Sequence, residues 1–303
     1  MHPPNSKKSV VLKTCLVFCL LIAQSTIQAQ ARAAENADFI STVLNARVIE
    51  LNFIWDKNAP VVKNPPYSLA LHTAHSDWKI PGGVGFAMDM MFFSGQHGAP
   101  TIDAIGHVSD NGKLYGGLDA DANTGSAGLK VLGIETYPHE KFVNRAVLLD
   151  VARFKGVAAL AADYEISADD LAATEKAQGV KINEGDAVLI RTGYGQYFDS
   201  DREKYLGPRP GPGKSAAEWL AAKHIFLAGC DQLSFEIFPA KKRFPAHRIL
   251  VADNGIYIVE QLNLEELASL LAEREDYAFV LVLNPLRFKG ATASPLNAFA
   301  LLP

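Results

Sequence analysis

Apolar residues in this chain gather in short runs separated by stretches rich in Gly, Pro, Asp and Asn. Runs of that length read as buried strands. They predict strands over residues 85–93, 146–151, 187–191, 225–229, 256–259 and 278–283. Ile256-Tyr257-Ile258-Val259 is β-branched and aromatic, which strengthens the reading there. Pro285 and Arg287 give the last run the look of an edge strand. Helices are signalled by their caps. Ser167 with Asp170 three residues on, and Gly179 after the last turn, predicts a helix over 167–178. Ser215 with Glu218 opens a helix through 219–223, and Asn263 with Glu266 opens another. Residues 36–50 read as a short helix able to pack on the domain or on a partner subunit. Residues 111–130 are Gly-, Asp- and Asn-rich and predict a mobile surface excursion.

Strands mixed with helices, and no Gly-rich phosphate loop, argue for an α/β domain that binds no nucleotide. No linker, repeat or low-complexity run divides residues 36–303, so one domain is expected. Over the whole chain, 29 Lys and Arg against 33 Asp and Glu leave no basic face for nucleic acid. Residues 1–31 read as a signal peptide: Lys7 and Lys8, an apolar stretch over 10–23, then Ala29-Gln30-Ala31 as a cleavage site. That stretch is short for a bilayer, so no stable anchor is expected after processing, a retained anchor being the alternative. Cys15 and Cys19 lie inside this segment, which leaves Cys230 with no partner for an internal disulfide. A periplasmic or secreted protein is expected.

The chemistry concentrates between Gln96 and His107, in Gln96-His97-Gly98-Ala99-Pro100-Thr101-Ile102-Asp103-Ala104-Ile105-Gly106-His107. Imidazole nitrogen and carboxylate oxygen are the usual ligands of Zn²⁺ or Mn²⁺, and a further His beside them could move protons. Gly98, Ala99 and Gly106 suggest backbone packed close, as in a loop folded round an ion. A surface loop that happens to carry His and Asp is the plainer alternative. Asp150 and Arg153 read as a structural pair, and Cys230 and Asp231 as candidates for a pocket wall. His72, His75 and Trp78 are further candidates for substrate contact, ordinary hydrogen-bonded or exposed side chains being the alternative.

This run resembles the signature of the cyclase family of metal-dependent hydrolases, which includes bacterial kynurenine formamidase and isatin hydrolase. The signature is His-x-Gly-Thr-His-x-Asp-x-Pro-x-His. The chain matches it at His97, Asp103 and His107 and departs at Ala99, Pro100, Thr101 and Ile105. Leu149-Asp150-Val151-Ala152-Arg153, Gly185-Asp186 with Leu189-Ile190-Arg191-Thr192-Gly193, and His247-Arg248-Ile249-Leu250 with Gly255-Ile256-Tyr257-Ile258-Val259-Glu260 follow in the family's order. The resemblance covers roughly residues 51–285.

What the resemblance implies is a swivelling β/β/α cyclase-like fold with a mixed sheet, a homo-oligomer, and a pocket near a subunit contact. It implies a divalent ion, Zn or Mn, held by His97, Asp103, His247 and Glu260, with His107 as general base and then general acid. It further implies that the aromatic segment 51–71, which carries Trp55 and Tyr67, helps wall the pocket. Thr101 stands where the family has a second His. Either it points at the ion, or the loop has re-formed around Pro100 and it points elsewhere. The reaction expected is hydrolysis of a carbon–nitrogen bond in an amide, formamide or lactam of a small molecule, expected to be aromatic. A serine nucleophile is disfavoured, since no Gly-x-Ser-x-Gly elbow is present. An exported small-ligand-binding member of the fold, weakly active or inactive, is the rival expectation. A structural envelope protein is the third.

Overall fold

The structure, a computed structural model, describes residues 37–56, 58–60, 67–240 and 244–303, with His97 described by its backbone alone. The expected signal peptide lies outside the described residues. Two compact units are separated after Arg47. In the first, residues 37–45 are helical, and Phe39, Ile40, Val43 and Leu44 are exposed. The helix expected over 36–50 therefore stops early, and Arg47–Glu50 is a strand, β1, with Ile49 buried.

In the larger unit β2 (Ser68–Thr73) pairs antiparallel with β3 (Met88–Phe92). This two-stranded ribbon is separate from the main sheet. Short β4 (Thr101–Asp103) follows, then β5 (Val143–Asp150), β6 (Ala187–Arg191) and β7 (Leu227–Cys230). The last three are β8 (Tyr257–Glu260), β9 (Ala278–Pro285) and β10 (Ala293–Leu302). An eight-stranded sheet runs β1-β10-β9-β5-β6-β7-β8-β4, and β4 pairs back onto β10. All its strands except β1 thus close into a barrel. Strands β5 to β8 are parallel, and every other pairing in the ring is antiparallel.

Parallel neighbours need crossovers, and here the chain supplies helical ones. Helix α1 (Ala168–Ala177) links β5 to β6, and α2 (Lys214–Ala222) links β6 to β7. A helical turn, Pro245–His247, continues into a wider turn, Arg248–Asp253, and links β7 to β8. Strand alternation then divides the core in two. Ala146, Leu148, Leu189, Leu227 and Val259 face one cluster, with Leu267 and Leu271 of α3 (Glu265–Arg274). Val147, Leu149, Ile190, Ala228 and Ile258 face the other, under α1, α2 and the 245–253 segment.

Three expectations change on this frame. The 85–93 run is not one buried strand: Gly85 ends a two-residue strand, and the strand over Met88–Phe92 is exposed along its length. The 278–283 run is no edge: β9 is paired on both sides, and even Pro285 stands opposite Leu296. Closure of the barrel gives it the second neighbour. The helix starts expected at Ser215 and Asn263 fall elsewhere, at Gly213 and Leu264, neither with a side-chain cap.

Candidate metal centre

Strand β4 lies antiparallel to β8 with Asp103 opposite Ile258 and Thr101 opposite Glu260. Side chains directly opposite, and those two residues apart, share a face. Asp103 and Glu260 therefore emerge together on the face that Ile258 turns to the helices. The 245–253 segment crosses that face, anchored by buried Ala246, Ile249, Leu250 and Val251, and brings His247 over it. One ligand atom from each of Asp103, His247 and Glu260 falls within 4.8 Å of the other two.

His247 Nε2 stands 3.2 Å from Glu260 Oε1 and 3.8 Å from Asp103 Oδ2. Its Nδ1 is 3.0 Å from Glu236 Oε1, and Glu236 Oε2 accepts from the Ala246 N–H at 2.7 Å. A carboxylate on one ring nitrogen holds the ring and leaves the other turned to the centre. Glu260 Oε1 also accepts from the Phe235 N–H at 2.9 Å. Asp103 is more isolated. It is 3% exposed, and its ring-nitrogen neighbours, His247 and His107, stand at 3.8 and 3.9 Å, beyond hydrogen-bond length.

Burial raises the Asp103 carboxyl to about 6; Glu260 adds to the rise, while His107 and His247 oppose it. Burial would lower the His247 imidazole, but its hydrogen bonds to Glu236 and Glu260 win and push it up to about 10. The cluster is thus a concentration of buried acid in want of positive charge. A divalent cation fits it: one imidazole nitrogen and two carboxylates make a hard-to-borderline donor set.

His107 closes a short turn, Ile105–His107, and faces the same cavity without joining the three. Its Nε2 is 3.9 Å from Asp103 Oδ1. Gln96 Nε2 is 3.5 Å from its Nδ1, too long to set the tautomer, and donates to Thr292 Oγ1 at 3.0 Å. Gly98 and Gly106 are needed for close approach: a Cβ would stand 2.2 Å from the Pro100 carbonyl oxygen at the first and 2.7 Å from Leu129 Cδ1 at the second. His97 ends the neighbouring turn, Gly95–His97, and its side chain lies outside the described atoms.

Thr101 is buried, and its hydroxyl donates to the carbonyls of Gly95 at 2.7 Å and Ser294 at 3.2 Å. Its oxygen is turned to backbone rather than to the cavity. The cavity itself measures about 600 Å³. Arg209, Leu233 and Phe244 line it together with the acidic cluster.

Other candidates go elsewhere. His72 contacts the Thr73 hydroxyl and His75 the Gly85 carbonyl, both away from this cavity. Trp55 packs edge-on against Tyr67 and Phe93 and lies against a small Ala59–Ala99–Phe198–Tyr205 cluster that Leu233 of the cavity lining also touches; residues 57 and 61–66 of the 51–71 segment lie outside the described residues. Cys230 belongs to the helix-side core, and Asp231 is buried beneath the Thr192 and Gly193 N–H groups. Asp150 pairs with Arg153 and Arg191, as its place in the sequence suggested. Glu236 escaped the sequence reading. It belongs to no metal-ligand spacing, and its only signal is an acid in an otherwise apolar Phe235-Glu236-Ile237-Phe238 run.

The chain resembles known proteins in sequence and in fold. The family model described as "Putative cyclase" matches residues 44–237. An isatin hydrolase from Roseibium aggregatum is 31% identical over 150 residues, which are 46% of this chain and 54% of that protein. The chain thus spans about half the length of that curated relative. Among solved structures, a novel cyclase superposes with a TM-score of 0.76 at 29% identity, over 86% of this chain and 89% of the other. An isatin hydrolase bound to the product analogue thioisatinate has the same fold, with a TM-score of 0.67 at 20% identity over 91% and 98% of the two chains. So has a potential metal-dependent hydrolase with cyclase activity, at 0.58 and 20% over 85% and 100%.

Proposed function

The chain belongs to the putative cyclase family, and on that premise we propose that it is a metal-dependent hydrolase of a carbon–nitrogen bond in an amide, formamide or lactam. The observation that carries the reading is the Asp103–His247–Glu260 cluster, Asp103 buried and the other two partly buried, on a cavity whose rim holds His107. Asp103, His247 and Glu260 would hold Zn²⁺ or Mn²⁺, with His97 added from the adjoining turn. Such an ion supplies Lewis acidity, which acidifies water and draws electron density from a carbonyl oxygen. Glu236 keeps His247 Nε2 turned to the cluster through its hold on Nδ1. His107 Nε2 takes a proton from the attacking water and returns it to the leaving nitrogen, a task suited to imidazoles because they titrate near neutrality.

Two further parts of the reading are proposals of the same standing. The protein is exported, on the strength of residues 1–31, and among the described residues no helix is long and apolar enough to cross a membrane. It acts as a homo-oligomer, for which the exposed β2–β3 ribbon offers apolar surface. A rival, an inactive ligand-binding member of the fold, gains support from Thr101, whose hydroxyl is tied to backbone where the family signature has an imidazole.

Metal analysis combined with a panel of N-formyl aromatic amines, isatin-like lactams and simple esters separates the two. A hydrolase should carry stoichiometric metal, turn over a member of the amide or lactam set, lose that activity to a chelator and regain it with Zn²⁺ or Mn²⁺. Protein that holds no metal and turns over nothing would leave the binding protein standing.

A further inference from the structure

The fold treats two of its buried arginines differently. Arg191, 8% exposed, is neutralised by Asp150 at 2.9 Å and by both oxygens of Glu265, at 3.0 and 2.7 Å. Arg209 is 5% exposed, and no carboxylate lies within ion-pair distance of it among the described residues. Its partners are neutral. Nε and Nη2 donate to Ser234 Oγ at 3.2 and 3.1 Å, and Nη1 donates to the carbonyls of Gly207 at 2.9 Å and Leu206 at 3.4 Å. The guanidinium lies over the Phe238 ring, 4.3 Å from its centroid.

A guanidinium has five N–H donors, and these four bonds leave one Nη2 N–H uncommitted. A buried cation with no carboxylate in contact, and only the Glu260 charge acting on it at longer range, is costly and persists where something offsets the cost. Arg209 lines the cavity that holds the acidic cluster, with apolar Leu233 and Phe244 beside it. Arg248 lines the same cavity but is already engaged, with Asp253 at 2.7 Å and Asp110 at 3.8 Å.

We infer that Arg209 receives a carboxylate of the molecule bound in this cavity, so that the ligand class is an apolar or aromatic body carrying an anionic group. Calling that molecule a substrate rests on the hydrolase reading; the anion contact does not. A guanidinium held flat by Ser234, Gly207 and Leu206 presents its remaining N–H in a fixed direction, which suits a carboxylate oxygen better than a mobile ammonium would.

The test compares benzoate with neutral benzamide by calorimetry on the purified full chain in its as-isolated metal state. Benzoate should bind at least ten-fold tighter than benzamide, and Arg209→Gln should reduce that ratio ten-fold or more. Arg209→Lys keeps a charge at the site and guards against a variant that fails to fold. Its shorter ammonium is claimed by the same neutral acceptors, so the ratio should still drop at least three-fold. Equal affinities in the unaltered protein overturn the inference. So does a preference that survives intact in the folded variant or variants, because the anion is then held by something else. The readout is binding, so a protein that hydrolyses none of the panel passes or fails this test independently of the hydrolase reading.

Discussion

His107 and Asp103 are four residues apart in sequence and 3.9 Å apart from Nε2 to Oδ1, yet their expected roles differ, and substitution should separate them. His107→Ala should leave metal content unchanged and lower kcat by on the order of 10²-fold or more. Loss of the metal with the side chain would make His107 a ligand. Glu236→Gln should act on metal retention instead, weakening affinity by about 10- to 100-fold, because the ring of His247 loses the carboxylate that holds it. Thr101→His would place an imidazole where the hydroxyl now satisfies two carbonyls. It should lower stability by about 1–3 kcal/mol, read by thermal unfolding, without tightening metal binding in a calorimetric titration. The cluster also sets a pH dependence for chelator-stripped protein. His247 holds its proton up to about 10 against 6.5 in free imidazole, so its contribution to stability is complete below 6.5 and lost as pH rises towards 10. Asp103, raised from 3.8 to about 6, acts in the same direction at lower pH, since the folded state favours its protonated form. Stripped protein should therefore melt at progressively lower temperature from pH 6 to pH 10. A cation displaces the His247 proton, so metal should stabilise the protein more as pH rises.

Helix α1 shows how a local signal can settle an element. Ser167 Oγ accepts from the Asp170 N–H at 3.2 Å, and the Asp170 carboxylate accepts from the Ser167 N–H at 2.9 Å, the reciprocal cap the sequence suggested. Ser167→Ala should cost about 1 kcal/mol in denaturant unfolding. Burial works to raise the Asp170 carboxyl, but Lys155 and Ser167 outweigh it and hold it below the usual range. Its contribution is therefore present above the ordinary carboxylate pKa and fades in acid. Ser215 and Glu218 carry the same kind of signal without the same outcome. The helix begins at Lys214, and Ser215 Oγ instead accepts from the Ala168 N–H of α1 at 3.2 Å. The N-cap falls to Gly213, where any Cβ would meet the Glu165 side chain within 2.1 Å. At that end, packing against the neighbouring helix and strand outweighed the local cap.

Across the whole molecule, the β2–β3 ribbon stands out by its surface. Leu69, Leu71, Met90, Met91 and Phe92 are each more than half exposed, on a two-stranded ribbon with no third strand among the described residues. Paired strands this apolar are usually covered. Light scattering should find a dimer or larger assembly, and Leu71→Asp with Met90→Asp should shift it towards monomer; a monomeric starting protein would sink the proposal. N-terminal sequencing of protein from the producing cells should begin near Arg32, and an intact Met1 on cytoplasmic protein would exclude export. From the sequence alone came the α/β class, the core strands, the α1 cap, and the candidacy of Asp103, His107, His247 and Glu260. Those features are local or periodic, or they sit in a motif, and each is written in neighbouring residues. Tertiary structure alone decided that β9 is interior, that Thr101 turns to backbone, that Glu236 stands behind His247, and that Arg209 lines the cavity. Barrel closure, a hydroxyl's choice among carbonyls and a charge's missing counterion all depend on residues far apart in the chain, which no local pattern records.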